Sequence, residues 1–150
     1  MRCIGVYGHV ETSKKKHMWT LLRRLVGLSS SPWLCFGDFN EILYLDDKNI
    51  GIDREASMIK EFRDVVHDCN LRDFSCKCYP FTWSNRRFSS HFIEKQLNRF
   101  LCRKDWTNFF HDQVATNLVT WCLYHNPVLM DVMSKGEKRH YNRRTFLRTH

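Results

Sequence analysis

Asp38 and Asn40 stand two residues apart, directly after the apolar run Trp33-Leu34-Cys35-Phe36 and Gly37. Side chains alternate along an extended chain, so both project to one side while Phe39 packs inward between them. The aspartate offers a charged oxygen, and the asparagine a neutral oxygen with two donors. Such a pair can hold a hard divalent ion, orient a water molecule or contact a phosphate. The same residue types also build ordinary turns after strands. Four residues alone leave both readings open.

Other reactive side chains carry less. His67, Asp68 and Cys69 with Cys76 and Cys78 invite a zinc reading. The single residue between the last two cysteines departs from the usual ligand spacing, so zinc is not expected. His125 by itself reads as an ordinary satisfied or exposed histidine. Tyr7 and Trp83 by themselves read as core aromatics. The seven cysteines are an odd number at irregular intervals, which predicts reduced thiols packed as small hydrophobes rather than a disulfide framework.

The elements that must position these groups follow from hydrophobic pattern. Residues 3–7 form a short apolar run closed by Gly8, and residues 33–36 a second one stopped by Gly37, both suited to buried strands. Between them Met18, Trp19, Leu22, Leu25 and Val26 recur at helical spacing, with Thr12 or Ser13 as the expected cap and Gly27 near the end. Met58, Phe62, Val65, Val66 and Cys69 form another stripe, with Lys60, Arg63, Asp64 and His67 opposite. Phe81-Thr82-Trp83 has strand chemistry. Trp106, Phe109, Phe110 and Val114 predict a short helix, and residues 127–132 a last strand. Ile93, Leu97, Phe100 and Leu101 also fit helical spacing, although the resemblance described below favours a strand there. This alternation predicts an α/β layered domain over residues 1–132, followed by a basic tail over 133–150.

Composition agrees with a single globular unit. The chain has 150 residues, 43% hydrophobic and 27% charged, with Gly 6 and Pro 3, which excludes disordered and collagen-like classes. No apolar run approaches the ~20 residues that span a bilayer. The start Met1-Arg2-Cys3-Ile4-Gly5-Val6 lacks the layout of a signal peptide. The sequence therefore predicts a soluble intracellular chain, in nucleus or cytoplasm. Lys+Arg 24 against Asp+Glu 16 gives a formal net charge of +8, a balance that suits phosphate-rich partners.

The candidate residues sit within an ordered series. Val6-Tyr7-Gly8-His9-Val10-Glu11 comes first, then Trp19, Pro32-Trp33-Leu34, Gly37-Asp38-Phe39-Asn40-Glu41-Ile42-Leu43, Arg54, Phe62-Arg63 and Cys69-Asn70-Leu71-Arg72-Asp73. Phe81-Thr82-Trp83-Ser84-Asn85, Ile93 to Leu101, Trp106 and His125-Asn126-Pro127 follow. This series resembles the endonuclease/exonuclease/phosphatase superfamily. More narrowly, it is similar to the endonuclease domain of plant long-interspersed-type (non-LTR) retrotransposons. The resemblance covers roughly residues 4–130.

The resemblance implies a sandwich of two mixed β-sheets flanked by helices, and Mg²⁺-dependent hydrolysis of phosphodiesters or phosphomonoesters, with DNA as the ancestral substrate. It assigns Asp38 to activating the attacking water and Asn40 to holding phosphate or metal with it. Tyr7 would reach the scissile phosphate, and His125 would stabilise charge on it. Trp83 and Asn85 would lie near the DNA-facing cleft, with Arg86 and Arg87 contacting phosphates beside them. Asn98 stands in Leu97-Asn98-Arg99 where the family carries an aspartate that orients the histidine. Tyr124 precedes His125 where the family has an acidic residue. Val10, Ser75 and Cys78 also depart from the retroelement pattern. The chain matches the family's second half, so the glutamate supplied by the first half has no counterpart here. These departures predict a catalytically impaired fragment. The open alternatives are a non-catalytic nucleic-acid-binding remnant and a retroelement relic without selected function.

Overall fold

The computed structural model describes residues 1–28, 30–49, 55–74, 76, 79–87, 91–120 and 123–134. Arg54, Ser75, Cys78 and all of the expected basic tail beyond residue 134 lie outside the described residues.

Both apolar runs of the N-terminal third form strands. Strand β1 spans Arg2–Tyr7 and β2 spans Trp33–Asp38; they pair in parallel, joined by helix α1 at Thr12–Gly27. Helix α2 at Ala56–Asp68 leads into β3, Leu71–Asp73. A short ribbon of β4 (Trp83–Ser84) and β5 (Glu94–Lys95) precedes β6, Asn98–Arg103. Helix α3 is a single turn, Trp106–Phe109, and runs directly into β7, Phe110–Asn117, which pairs with β8, Val128–Ser134. The main sheet has the order β1-β2-β6-β3, mixed in direction because β6 is antiparallel to both neighbours.

Alternation along the central strands sends side chains to two different cores. Trp33 and Cys35 of β2 and Leu101 of β6 face the helices, where they pack with Trp19 and Leu22 of α1 and Phe62 and Val65 of α2. The Trp19 and Phe62 rings stack there at 4.6 Å between centroids. Leu34, Phe100 and Cys102 occupy the opposite face, against Trp106 and Ala115, with Val128 and Met130 of β8 alongside. Each fully buried large side chain of this kind contributes roughly 1.5–3 kcal/mol of transfer free energy. The result is a layered α+β sandwich: helices, a mixed sheet, and the β7–β8 ribbon. Among the described residues no helix is long and apolar enough to cross a membrane.

Several local expectations need correction. Neither Thr12 nor Ser13 caps α1; both lie inside it, and Glu11 holds the capping position without a side-chain cap bond. Between Ile93 and Leu101 the strand favoured by the resemblance prevails over the helical spacing, because Phe100 and Leu101 bury on opposite faces of the sheet. Val114 likewise belongs to β7, and only one turn of helix survives at Trp106–Phe109. Strand β4 starts at Trp83 rather than at Phe81. The last strand runs to Ser134, two residues into the segment expected as tail. Cys69 lies in the helix-side core and Cys76 packs against the other one, on the far side of the sheet.

Candidate functional site

The parallel register of β1 and β2 sets Tyr7 beside Asp38, and the antiparallel register of β2 and β6 sets Asp38 beside Asn98. Residues in register on neighbouring strands share a face. Tyr7, Asp38 and Asn98 therefore make one row across three strands, at the carboxyl ends of β1 and β2.

The chain turns sharply after Asp38. Phe39 is fully buried and Asn40 adopts φ 50°, a left-handed conformation that asparagine tolerates better than most residues. The Asp38 carboxylate accepts the Asn40 backbone N–H at 2.9 Å, an Asx-type turn. The Asn40 side-chain amide donates to the Gly8 carbonyl at 2.7 Å and to Asp38 Oδ2 at 3.2 Å. Since Gly8 O is purely an acceptor, the amide nitrogen must face it. Asn40 thus ties the end of β1 to Asp38.

His125 arrives from the other side. Backbone bonds from Asn126 N to Thr82 O (2.7 Å) and from Ser84 N to Tyr124 O (3.0 Å) lay residues 124–126 along β4. The buried Thr82 hydroxyl accepts the N–H groups of both Leu97 and Asn98 at 2.9 Å, which fixes this ribbon to the start of β6. His125 Nδ1 then stands 3.7 Å from Asp38 Oδ2, with the two side chains 42% and 11% exposed. That is an ion-pair distance for a protonated imidazole and longer than a direct hydrogen bond. Asn98 Nδ2 donates to the Asn126 carbonyl at 3.2 Å. Its contact is with the backbone beside His125 rather than with the imidazole.

These groups border one cleft of about 310 Å³, lined by Tyr7, Asp38, Asn40, Trp83 and His125 among others. Tyr7 is strongly exposed at its rim. Lys48 and Lys95 line it as well, and Lys95 Nζ lies 5.5 Å from the centre of the Trp83 ring. Sequence reasoning passed over both lysines. They reach the cleft because residues 47–49 pair with β5, through Gln96 N to Asp47 O (2.8 Å) and Asn49 N to Glu94 O (3.3 Å). No local pattern announces that pairing.

Asn85, Arg86 and Arg87 follow directly after β4. The Asn85 side chain accepts the N–H groups of Arg87 and Ile93 and donates to the His91 carbonyl. Arg86, at φ 52°, donates its guanidinium to the carbonyls of Leu123 and Thr120. Arg86 and Arg87 border a second cavity rather than the cleft with Asp38.

The donor set is thin for a resident metal ion. Mg²⁺ wants octahedral oxygen ligation and commonly uses one or two carboxylates with water and substrate oxygens. Asp38 supplies one. Glu41, the other carboxylate of the cleft lining, is buried in an ion pair with Lys15 at 2.8 Å. Asn40 turns its amide nitrogen toward Asp38, so the two do not present paired oxygens. Among the described residues no group of three acidic, His or Cys side chains could hold a metal. These residues do not by themselves complete a Mg²⁺ site.

The chain shares its fold with solved structures. One is the 3'-5' exonuclease NExo from Neisseria meningitidis, with TM-score 0.63 and 19% identity over 87% of this chain and 60% of that one. Another is the 3' phosphatase NExo from Neisseria bound to a product DNA hairpin, with TM-score 0.60 and 17% identity over the same shares. At these identities the likeness is one of fold. This chain spans 60% of the length of these neighbours. No family model and no curated protein matches it.

Proposed function

We propose that the chain is part of a phosphodiesterase domain of the DNA endonuclease kind, that its cleft binds a DNA phosphate, and that its catalysis is impaired. The observation that carries this reading is the row Tyr7–Asp38–Asn98 with His125 3.7 Å from Asp38. Tyr7, Asp38 and His125, spread over more than a hundred positions, meet in one cleft bordered by two lysines. One fold neighbour is described as a 3'-5' exonuclease and the other as a 3' phosphatase bound to a product DNA hairpin, which supports DNA as the ligand. The ordered motif series supports descent from a plant non-LTR retrotransposon.

In this reading Lys48 and Lys95 draw the phosphate in, and the Tyr7 hydroxyl and His125 hold its oxygens. Asp38 orients the attacking water and accepts its proton. Mg²⁺ is the ion the resemblance implies, and Asp38, the one accessible carboxylate of the cleft lining, does not complete a site for it. Impairment follows from what surrounds these groups. Phosphodiester cleavage is extremely slow unaided, and a single accessible carboxylate must serve here. Asn98 is a neutral amide bonded to the Asn126 carbonyl, so it brings no charge to the His125 imidazole. Tyr124 is an exposed aromatic rather than an acid, with the Arg86 guanidinium 5.9 Å from its ring centre. A purely nucleic-acid-binding role is the second reading, favoured by the two lysines facing the cleft.

Mobility shifts over a salt series and nicking of supercoiled plasmid with Mg²⁺ or EDTA test the proposal. DNA binding should weaken linearly in log salt and fall in Lys48→Ala/Lys95→Ala. Nicking should be absent or very weak. Binding indifferent to salt and to both lysines would overturn the cleft assignment. Vigorous Mg²⁺-dependent nicking lost in Asp38→Ala would overturn the impairment.

A further inference from the structure

A second cavity, of about 720 Å³, opens beside the first. The two share a thin wall. In each of three chain segments, one residue lines the first cavity and its neighbour the second: His125 and Asn126, Lys95 and Glu94, and Trp83, which lines both, with Ser84. The wall is a single ribbon, and Trp83 is its shared face.

Tyr79, Phe92 and Val119 join Trp83 around the second cavity, a lining of flat and apolar side chains. The cavity is held open from within. The Tyr79 hydroxyl donates to the Glu94 carboxylate, whose other oxygen accepts Asn49 Nδ2 at 2.6 Å. That leaves the tyrosine ring fixed while its polar tip is satisfied. The Arg86 guanidinium grips the Leu123 and Thr120 carbonyls and so ties the far wall to the ribbon. Arg87 is exposed at the border. Aromatic walls with a basic rim are the chemistry that single nucleotides meet on stacking platforms.

We propose that this second cavity receives an unpaired nucleobase of a DNA strand whose phosphate lies in the first, with the base stacked among Tyr79, Trp83 and Phe92 and the adjoining phosphate beside Arg87. The proposal rests on the reading of the first cleft as a phosphate site, and deepens it: the substrate is DNA with an unpaired nucleotide next to the bound phosphate. Volume and lining fit a pocket for a small flat ligand. A fully paired base, locked in its stack, would have to be extruded first.

The test compares one labelled duplex with and without an unpaired tail, the tail carrying 2-aminopurine. The tailed DNA should bind about tenfold more tightly, the scale of one stacked base, and its 2-aminopurine emission should be quenched on binding. Phe92→Ala should erase both effects and leave blunt-duplex affinity unchanged. Val119→Glu, a change at a half-exposed loop position, should do the same by repelling phosphate, and guards against a folding defect in the first variant. Equal affinity for the two DNAs, or a tail preference that survives both variants, overturns this inference alone. Binding of neither DNA overturns the first-cleft reading together with it.

Discussion

The ammonium of Lys15 lies 2.8 Å from Oε2 of Glu41 and 2.6 Å from the carbonyl oxygen of Asn40, and both charged side chains are almost wholly buried. Lys15 belongs to α1, whereas Asn40 and Glu41 form the turn that follows Asp38. Glu41 Oε1 also accepts the Ile42 N–H at 3.1 Å. The pair therefore pins the left-handed turn at Asn40 from beneath, and through it the placement of Asp38.

Removing one member of a buried ion pair leaves the other charge uncompensated, at a typical cost of about 3–5 kcal/mol. Lys15→Met should therefore lower unfolding free energy in urea by roughly 3 kcal/mol. The double change Lys15→Met/Glu41→Leu should cost clearly less than Lys15→Met, since no charge is then stranded. A double variant as unstable as the sum of the singles would show that the pair does not act as a unit.

Two glycines decide how closely β1 and β2 approach the site. A Cβ on Gly8 would fall 2.2 Å from the Phe39 carbonyl oxygen, and one on Gly37, at φ 129°, 2.1 Å from the Val6 oxygen. Both obstacles are backbone and cannot swing aside. Gly8→Ala and Gly37→Ala should each destabilise by about 1–3 kcal/mol, as overpacking does, and the second carries backbone strain besides. Thermal unfolding checks this, and an unchanged midpoint for either variant would contradict the packing described.

Much of this arrangement can be read in the sequence, and the rest is hidden for identifiable reasons. Strands β1 and β2 and helices α1 and α2 follow from apolar runs and stripes because each buries one face continuously. Strand β3 escaped notice at three residues, too short for any period. Strand β7 begins one residue after a helical turn, so Trp106, Phe109, Phe110 and Val114 fit helical spacing although only the first two are helical. Tyr7, Asp38 and His125 lie at the ends of recognisable segments. Lys15 sits in the run Lys14-Lys15-Lys16, where nothing local distinguishes the buried lysine from two solvated ones. Lys48 and Lys95 reach the cleft through a pairing between segments nearly fifty residues apart.

Thiol reactivity should follow burial. Cys35, Cys69 and Cys102 are buried, whereas Cys3 is exposed. Burial pushes the Cys35 thiol far up, with Cys69 and Cys3 adding to it, and raises Cys69 and Cys102 to about 11. In native protein at pH 8, iodoacetamide should label Cys3 ahead of these three, which should react only on unfolding. The sign of the linkage also follows. The unfolded thiols ionise near pH 9 while the folded ones stay neutral, so their contribution to stability is complete below pH 9. It is lost as pH rises from there through about 11. Peptide mass spectrometry reads the first claim and urea melts at pH 8 and 10.5 the second. Native labelling of Cys35 as fast as Cys3 would refute the burial account.

Placing an aspartate at position 98 should not confer activity, and should cost stability. Asn98 is paired in register with Asp38 and donates its amide to the Asn126 carbonyl at 3.2 Å. Its Oδ1 is buried without a hydrogen-bond donor among the described residues. Asn98→Asp removes the donor, sets a carboxylate against a carbonyl oxygen and places like charges on opposed strand positions, an unfavourable pairing. Losing the bond and stranding its partner costs about 1–3 kcal/mol. The turn that presents His125 hangs partly on that bond, so the imidazole should lose its place beside Asp38 rather than gain an orienting acid. The cost should shrink as pH falls, because a protonated carboxyl can again donate to Asn126. Urea melts of Asn98→Asp from pH 4 to 8, alongside plasmid nicking with Mg²⁺, measure both effects. A variant as stable as the parent at pH 8 that also nicks DNA would show that position 98 governs the histidine directly, and not through the backbone of residue 126.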